Sequence, residues 1–187
     1  MNSQEMKQIS KFLSLVLRHR PSKIGITLDD AGWTSVADLL ARLQDAGRDI
    51  SLKLLETIVA DNDKQRFQFS EDGTLIRATQ GHSIDVDLGY QPSIPPDVLS
   101  HGTPTTSVAA IRNQGLTKQQ RHHVHLHVDQ HLAASVGQRR GTPVVLSVDA
   151  KRMAAAGFAF YVTPNSVWLT VQVPPEFITF PVETSER

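Results

Sequence analysis

The sequence predicts an α+β protein in two halves, and three observations carry that expectation. Apolar residues recur at helical spacing three times in the first half before the pattern turns to alternation. Between Asp85 and Asp97 the pattern breaks at Pro92, Pro95 and Pro96, where helix is disfavoured and a linker is expected. Beyond it, short strands alternate with short helices. Residues 1–88 are therefore expected to form one lobe and residues 89–187 another.

In the first half, Met6, Ile9, Phe12, Leu13, Val16 and Leu17 follow helical spacing, with Ser3 as N-cap. Pro21 stops that helix and leaves Arg18, His19 and Arg20 at its end. A second helix is expected after Thr34 through Val36, Leu39, Leu40 and Leu43, with Gly47 past its end. A third follows Ser51, carrying Leu52, Leu55, Ile58 and Val59. Arg66-Phe67-Gln68-Phe69 alternates as a strand, Asp72-Gly73 turns, and Thr74 to Arg77 returns. Three helices and a hairpin suggest a winged-helix module, a frequent nucleic-acid binder.

In the second half, Val98 to Ser100 is expected to be a strand closed by His101-Gly102-Thr103. Val108 to Asn113 reads as a helix ending near Gly115, and His123 to Val128 as a strand. A short helix from Leu132 to Val136 follows Asp129, and Pro143 to Val148 is an apolar strand. Phe158 to Val162 and Val167 to Val173 flank Thr163-Pro164-Asn165-Ser166 as a hairpin.

Hydrophobic residues make up 40% of the 187, enough for a globular core, and no apolar run is long enough to span a membrane. A soluble, cytoplasmic protein is expected, without a secretory signal. The cysteine count is zero, which excludes disulfides, thiolate zinc sites and a cysteine nucleophile. Lys plus Arg and Asp plus Glu are 19 each, a formal net charge of zero. A chain that coats nucleic acid non-specifically is usually basic, so any nucleic acid here must be held by a local patch.

Several segments could carry chemistry. Arg18, His19 and Arg20 complement a helix dipole, and they equally suit a phosphate, which the planar guanidinium fork matches and to which histidine can bring a proton. Arg66 is either a solvated arginine or a residue presented opposite a core-facing Phe67. His101-Gly102-Thr103 is either a turn or a place where a ligand approaches the backbone closely. His123, His125 and His127 share one strand face, which could bind zinc or line the cleft of an organic ligand. Asp129 is the only adjacent carboxylate, and no metal is expected. Gly137-Gln138-Arg139-Arg140-Gly141 is a basic loop that suits an anion. There is no Walker-type loop, no dinucleotide-binding glycine fingerprint and no nucleophile elbow.

The ordered set of these segments resembles the tRNA 2′-phosphotransferases of the KptA type. The matching stretches run from Ser10-Lys11-Phe12-Leu13-Ser14 and Leu17-Arg18-His19-Arg20-Pro21 through Asp30-Ala31-Gly32-Trp33 and Asp63-Lys64-Gln65-Arg66-Phe67 to Ile76-Arg77-Ala78-Thr79-Gln80-Gly81-His82-Ser83. They continue with Leu99-Ser100-His101-Gly102-Thr103, His123-Val124-His125-Leu126, Val136-Gly137-Gln138-Arg139 and Val167-Trp168-Leu169-Thr170. No single motif is decisive; the order and spacing together are specific.

The resemblance implies an N-terminal winged-helix RNA lobe and a C-terminal lobe of the ADP-ribosyltransferase type. Arg18, His19, Arg66 and Arg139 match the family's catalytic set. His101, Gly102 and Thr103 match its NAD⁺ signature, with His125 on the paired strand. His123 stands where relatives carry an aromatic such as tyrosine. The implied reaction moves an internal RNA 2′-phosphate to NAD⁺ through RNA-2′-phospho-ADP-ribose. It yields 2′-hydroxyl RNA, nicotinamide and ADP-ribose 1″,2″-cyclic phosphate, a chemistry known from tRNA splicing and RNA repair. The expected partners are a tRNA-like RNA with an internal 2′-phosphate and NAD⁺ as co-substrate, with no membrane and a monomeric protein. The alternative within the resemblance is an ADP-ribosyltransferase acting on terminal nucleic-acid phosphates or on protein. A winged-helix regulator would need a basic recognition helix, and the third helix offers only Lys53 between Ser51 and Asn62.

Overall fold

The computed structural model describes residues 3–61, 65–138 and 141–181. It is an α+β structure of short helices and small antiparallel sheets. The chain divides into two compact units, Met1–Gly89 and Tyr90–Arg187.

In the first unit, α1 spans Ser3–Arg18 and ends three residues before Pro21, whose ring cannot continue the helix. A short strand β1, Thr34–Ser35, then enters α2, Val36–Asp45. The N-cap is Ser35, whose hydroxyl accepts from the Asp38 amide. Helix α3, Leu52–Ala60, is capped in the same way by Ser51, which accepts from the Leu54 amide. β2, Phe67–Phe69, and β3, Leu75–Ala78, form the expected hairpin. β1 adds to the free edge of β3, a pairing too short to show in the sequence pattern, and the sheet order is β1-β3-β2. Leu13, Leu17, Leu39, Leu43, Leu55 and Ile76 are completely buried and join the three helices to this sheet.

Asp72 organises the hairpin turn. Its carboxylate accepts from the Ser70 hydroxyl at 2.6 Å and from the amide and hydroxyl of Thr74, while Gly73 takes a left-handed φ of 72°. The Ser70 bond, followed by those of Thr74, holds this carboxyl below its ordinary 3.8.

The second unit opens with β4, Val98–Pro104, followed by α4, Val108–Gln114, and β5, Leu116–Thr117. Next come β6, Val124–Leu126, α5, Gln130–Gly137, β7, Pro143–Asp149, and α6, Ala150–Ala155. The last strands are β8, Tyr161–Val162, β9, Trp168–Thr170, β10, Gln172–Val173, and β11, Ile178–Thr179. Among the described residues, two three-stranded sheets, β11-β7-β4 and β6-β9-β8, lie beside a β10-β5 pair. A bridge between Ser100 and His127 links the two larger sheets. Leu99, Leu126, Leu146, Val148 and Met153 fill the core between them.

Two sequence expectations need correction here. His101-Gly102-Thr103 does not close a strand: β4 continues through all three to Pro104, each paired with β7. Strand β6 is shorter than His123–Val128, and His127 is buried at 8% exposure, so the three histidines do not share one open face. Helix α6 was missed because its six residues follow directly on β7, with Asp149 serving both as strand end and as N-cap.

Candidate functional site

Arg18, His19 and Arg66 come together within the first unit. Arg18 is the last residue of α1 and His19 follows it; Arg66 immediately precedes β2. The Arg66 carbonyl accepts twice, from an Arg18 guanidinium nitrogen at 3.3 Å and from the Thr79 amide at 2.9 Å. Thr79, 3% exposed, also donates its hydroxyl to the Gln65 carbonyl at 2.9 Å. Gln65 sits at a φ of 38°, the left-handed region that non-glycine residues rarely occupy. The two Thr79 bonds, to the carbonyls of Gln65 and Arg66, flank Arg66 and hold the backbone that presents it.

A third segment reaches the end of α1. Gly81 turns the chain with a φ of 80°, His82 is buried at 2% exposure, and Ser83 follows. The Ser83 amide donates to the Arg18 carbonyl at 3.0 Å, and the Ser83 hydroxyl lies 2.9 Å from His19 Nδ1. In the sequence Gly81-His82-Ser83 stands out only as part of a stretch matched by the resemblance; the bond to His19 spans 64 positions and leaves no local signal. These contacts bring Arg18, His19 and the backbone of Arg66 together at the end of α1; a guanidinium suits an anion and an imidazole can carry a proton.

In the second unit, His101 and His125 are linked. His101 Nδ1 lies 3.0 Å from the His125 carbonyl, and His125 Nδ1 lies 3.1 Å from the His123 carbonyl. A carbonyl only accepts, so each Nδ1 carries the proton and donates. When these rings are neutral, each Nε2 is left as an acceptor. Burial pushes His101 below its ordinary 6.5; the His125 carbonyl opposes that shift and the charge of Arg121 adds to it. His123 is lowered as well, by its partial burial and then by His122 and Lys118, and its ring stands edge-on to Tyr161 at 5.4 Å. Among the described residues no group of three or more His, Asp or Glu is placed to hold a metal ion.

Gly102 is a glycine for a reason the sequence did not show. A Cβ there would stand 1.7 Å from the Ala133 carbonyl oxygen of α5. On the other partner, a Cβ on Gly137 would stand 2.8 Å from the Thr103 amide nitrogen. The two glycines let α5 lie directly on the backbone of β4. The close approach expected at Gly102 exists, but on its Cβ side the approaching group is a helix of the chain itself. Gly137 is the last residue of α5. Arg139 lies outside the described residues.

Comparison with known proteins first gives the class, a transferase. Residues 4–172 match the model of the family described as RNA 2′-phosphotransferase, Tpt1 / KptA family, and the chain belongs to it. A protein of Hahella chejuensis is 51% identical over 184 residues, 98% of this chain and 98% of that protein. One of Burkholderia pseudomallei is 50% identical over 172 residues, 92% of this chain and 94% of its own length. One of Flavobacterium johnsoniae is 47% identical over 180 residues, covering 96% and 99%. All three carry the name "Probable RNA 2'-phosphotransferase".

Proposed function

We propose that this protein removes an internal 2′-phosphate from RNA by transferring it to NAD⁺, through RNA-2′-phospho-ADP-ribose, to give 2′-hydroxyl RNA, nicotinamide and ADP-ribose 1″,2″-cyclic phosphate. In this reading the first unit is a winged-helix lobe that holds the RNA, and the second is an ADP-ribosyltransferase-like lobe that holds NAD⁺. The observation that carries it is the tie between the Arg18 guanidinium and the backbone of Arg66, with His19 beside it at the end of α1.

NAD⁺, when bound, supplies an electrophilic ribose carbon, which is why the chemistry needs no metal. The donor set fits it. His101 and His125, each with Nδ1 committed to a carbonyl, offer Nε2 as an acceptor for sugar hydroxyls. The lowered basicity of His101 keeps that ring neutral, so it adds no charge beside a cationic co-substrate. Thr103, with its hydroxyl, and the backbone of Gly102 complete the proposed cofactor contacts.

Arg18 and Arg66 hold the phosphate in this reading, and Arg139, outside the described residues, is the further catalytic residue that the resemblance implies. Their work is greatest when the phosphorus is attacked and charge builds on its oxygens, because fixed donors aimed at developing charge lower the barrier directly. His19 gives a proton to the departing RNA 2′-oxygen. Nicotinamide release tests the proposal: protein mixed with NAD⁺ and an oligonucleotide bearing one internal 2′-phosphate should liberate nicotinamide, with or without EDTA. The same oligonucleotide with a 2′-hydroxyl should not. Release that is independent of the 2′-phosphate, or that occurs only with a terminal phosphate, would favour the ADP-ribosyltransferase alternative.

A further inference from the structure

The bond between Ser83 and His19 assigns a role to a residue that the reaction as outlined does not use. We propose that Ser83 is a positioning residue for His19: its hydroxyl holds Nδ1 and thereby gives the proton transfer to Nε2. The inference rests on His19 being the proton donor.

Three observations support it. First, Ser83 is anchored independently of its side chain. Gly81 turns with a left-handed φ of 80°, buried His82 fixes the segment, and the Ser83 amide donates to the Arg18 carbonyl at 3.0 Å. That carbonyl belongs to the last turn of α1, which lacks helical partners of its own. Second, His19 is exposed, and the 2.9 Å contact with Ser83 Oγ ties down one of its ring nitrogens. Third, a hydroxyl both donates and accepts, so one serine can keep the contact in either protonation state of the ring.

The proton balance follows. Before transfer, the imidazolium donates Nδ1–H to Ser83 Oγ and carries the transferable proton on Nε2. As the bond from phosphorus to the RNA 2′-oxygen breaks, its electron pair stays on that oxygen, which takes the Nε2 proton. His19 is left as the neutral ring with Nδ1 protonated, the form from which Ser83 Oγ accepts. An alanine at position 83 keeps the amide bond to Arg18 and removes only the hydroxyl, so the substitution separates ring positioning from helix capping.

The experiment compares wild type, Ser83→Ala, Ser83→Thr and His19→Ala. Side-chain nitrogen NMR reads which His19 nitrogen is protonated, with His19→Ala assigning the signal, and steady-state kinetics use 2′-phosphorylated RNA and NAD⁺. In Ser83→Ala the His19 nitrogens should move toward the mixture of a free imidazole. Its kcat should fall about tenfold, the equivalent of one hydrogen bond to a charged group. KM and thermal stability should hold, and Ser83→Thr should restore both the nitrogen signals and kcat. Unchanged nitrogen signals in Ser83→Ala, an unchanged kcat, or no recovery with threonine would overturn the proposal. Wild-type turnover by His19→Ala would instead remove His19 from the reaction, and it is read without reference to Ser83.

Discussion

The two units carry their candidate residues in opposite ways. In Met1–Gly89 the cations stand at the ends of elements: Arg18 closes α1, His19 follows it, and Arg66 precedes β2. Arg18 donates to the Arg66 carbonyl, and His19 meets the Ser83 hydroxyl. In Tyr90–Arg187, His101, Gly102 and Thr103 lie inside β4, paired on one edge with β7 and pressed by α5 through two glycines, and His125 lies inside β6. The difference teaches where function and stability separate. A side chain at an element end can be removed without disturbing the core, whereas Gly102 cannot change without moving a helix.

The largest effect should therefore come from Gly102→Ala. Its methyl would overlap the Ala133 carbonyl, a backbone group that can yield only if α5 shifts. Overpacking of this kind costs about 3 kcal/mol or more. Urea unfolding should show a lowered midpoint, and an unchanged midpoint would mean that α5 does not sit on β4 as described.

Next in size, Arg66→Ala and Arg139→Ala should each slow turnover by about a hundredfold or more, and Arg66→Ala should leave the unfolding midpoint of the protein nearly unchanged. The Arg66 carbonyl, which organises its neighbours, survives the substitution. The phosphoryl-transfer step should suffer more than attack on NAD⁺, so single-turnover assays should show RNA-2′-phospho-ADP-ribose accumulating. Lysine should rescue only in part, because a point charge does not reproduce the bidentate fork. Wild-type rates in both variants would remove these arginines from the site.

A smaller effect distinguishes the units by pH. His101 has a folded value below its ordinary 6.5, so its contribution to stability is fully present above 6.5 and is lost as pH falls through the folded value. Melting temperature should decline from about pH 8 to about pH 5.5 more steeply in wild type than in His101→Gln. Equal slopes would show that His101 is not held neutral by the fold.

How much of this was legible in the sequence differs by unit as well. In the first, helical spacing and the serine at position 51 place α3 correctly, and Asp72-Gly73 places the hairpin, because these signals are local. The α+β class followed from them. The resemblance singled out Arg18, His19 and Arg66, but composition and spacing alone left each of them open to an ordinary surface role. What escaped was non-local: β1 pairing with β3, Ser83 meeting His19, and Gly102 meeting α5. A glycine within a strand signals close approach, yet nothing in the sequence says whether a ligand or a helix approaches.

The smallest expected effect lies in the hairpin turn. Asp72→Asn should lower the melting temperature slightly at neutral pH. Since the carboxyl is held below 3.8, its contribution is present above that value and is lost as pH falls through the lowered one. The difference between wild type and Asp72→Asn should therefore vanish in strong acid, and a difference that persists there would remove the carboxylate from the turn's stability.

The most direct measurement follows a labelled phosphate. An oligonucleotide carrying one labelled internal 2′-phosphate is mixed with excess protein, with and without NAD⁺, and the label is tracked by mass. The expected result is that the label leaves the RNA only when NAD⁺ is present and is recovered on ADP-ribose, one equivalent of nicotinamide appearing for each phosphate lost. Loss of the label as inorganic phosphate in the absence of NAD⁺ would contradict the proposed reaction.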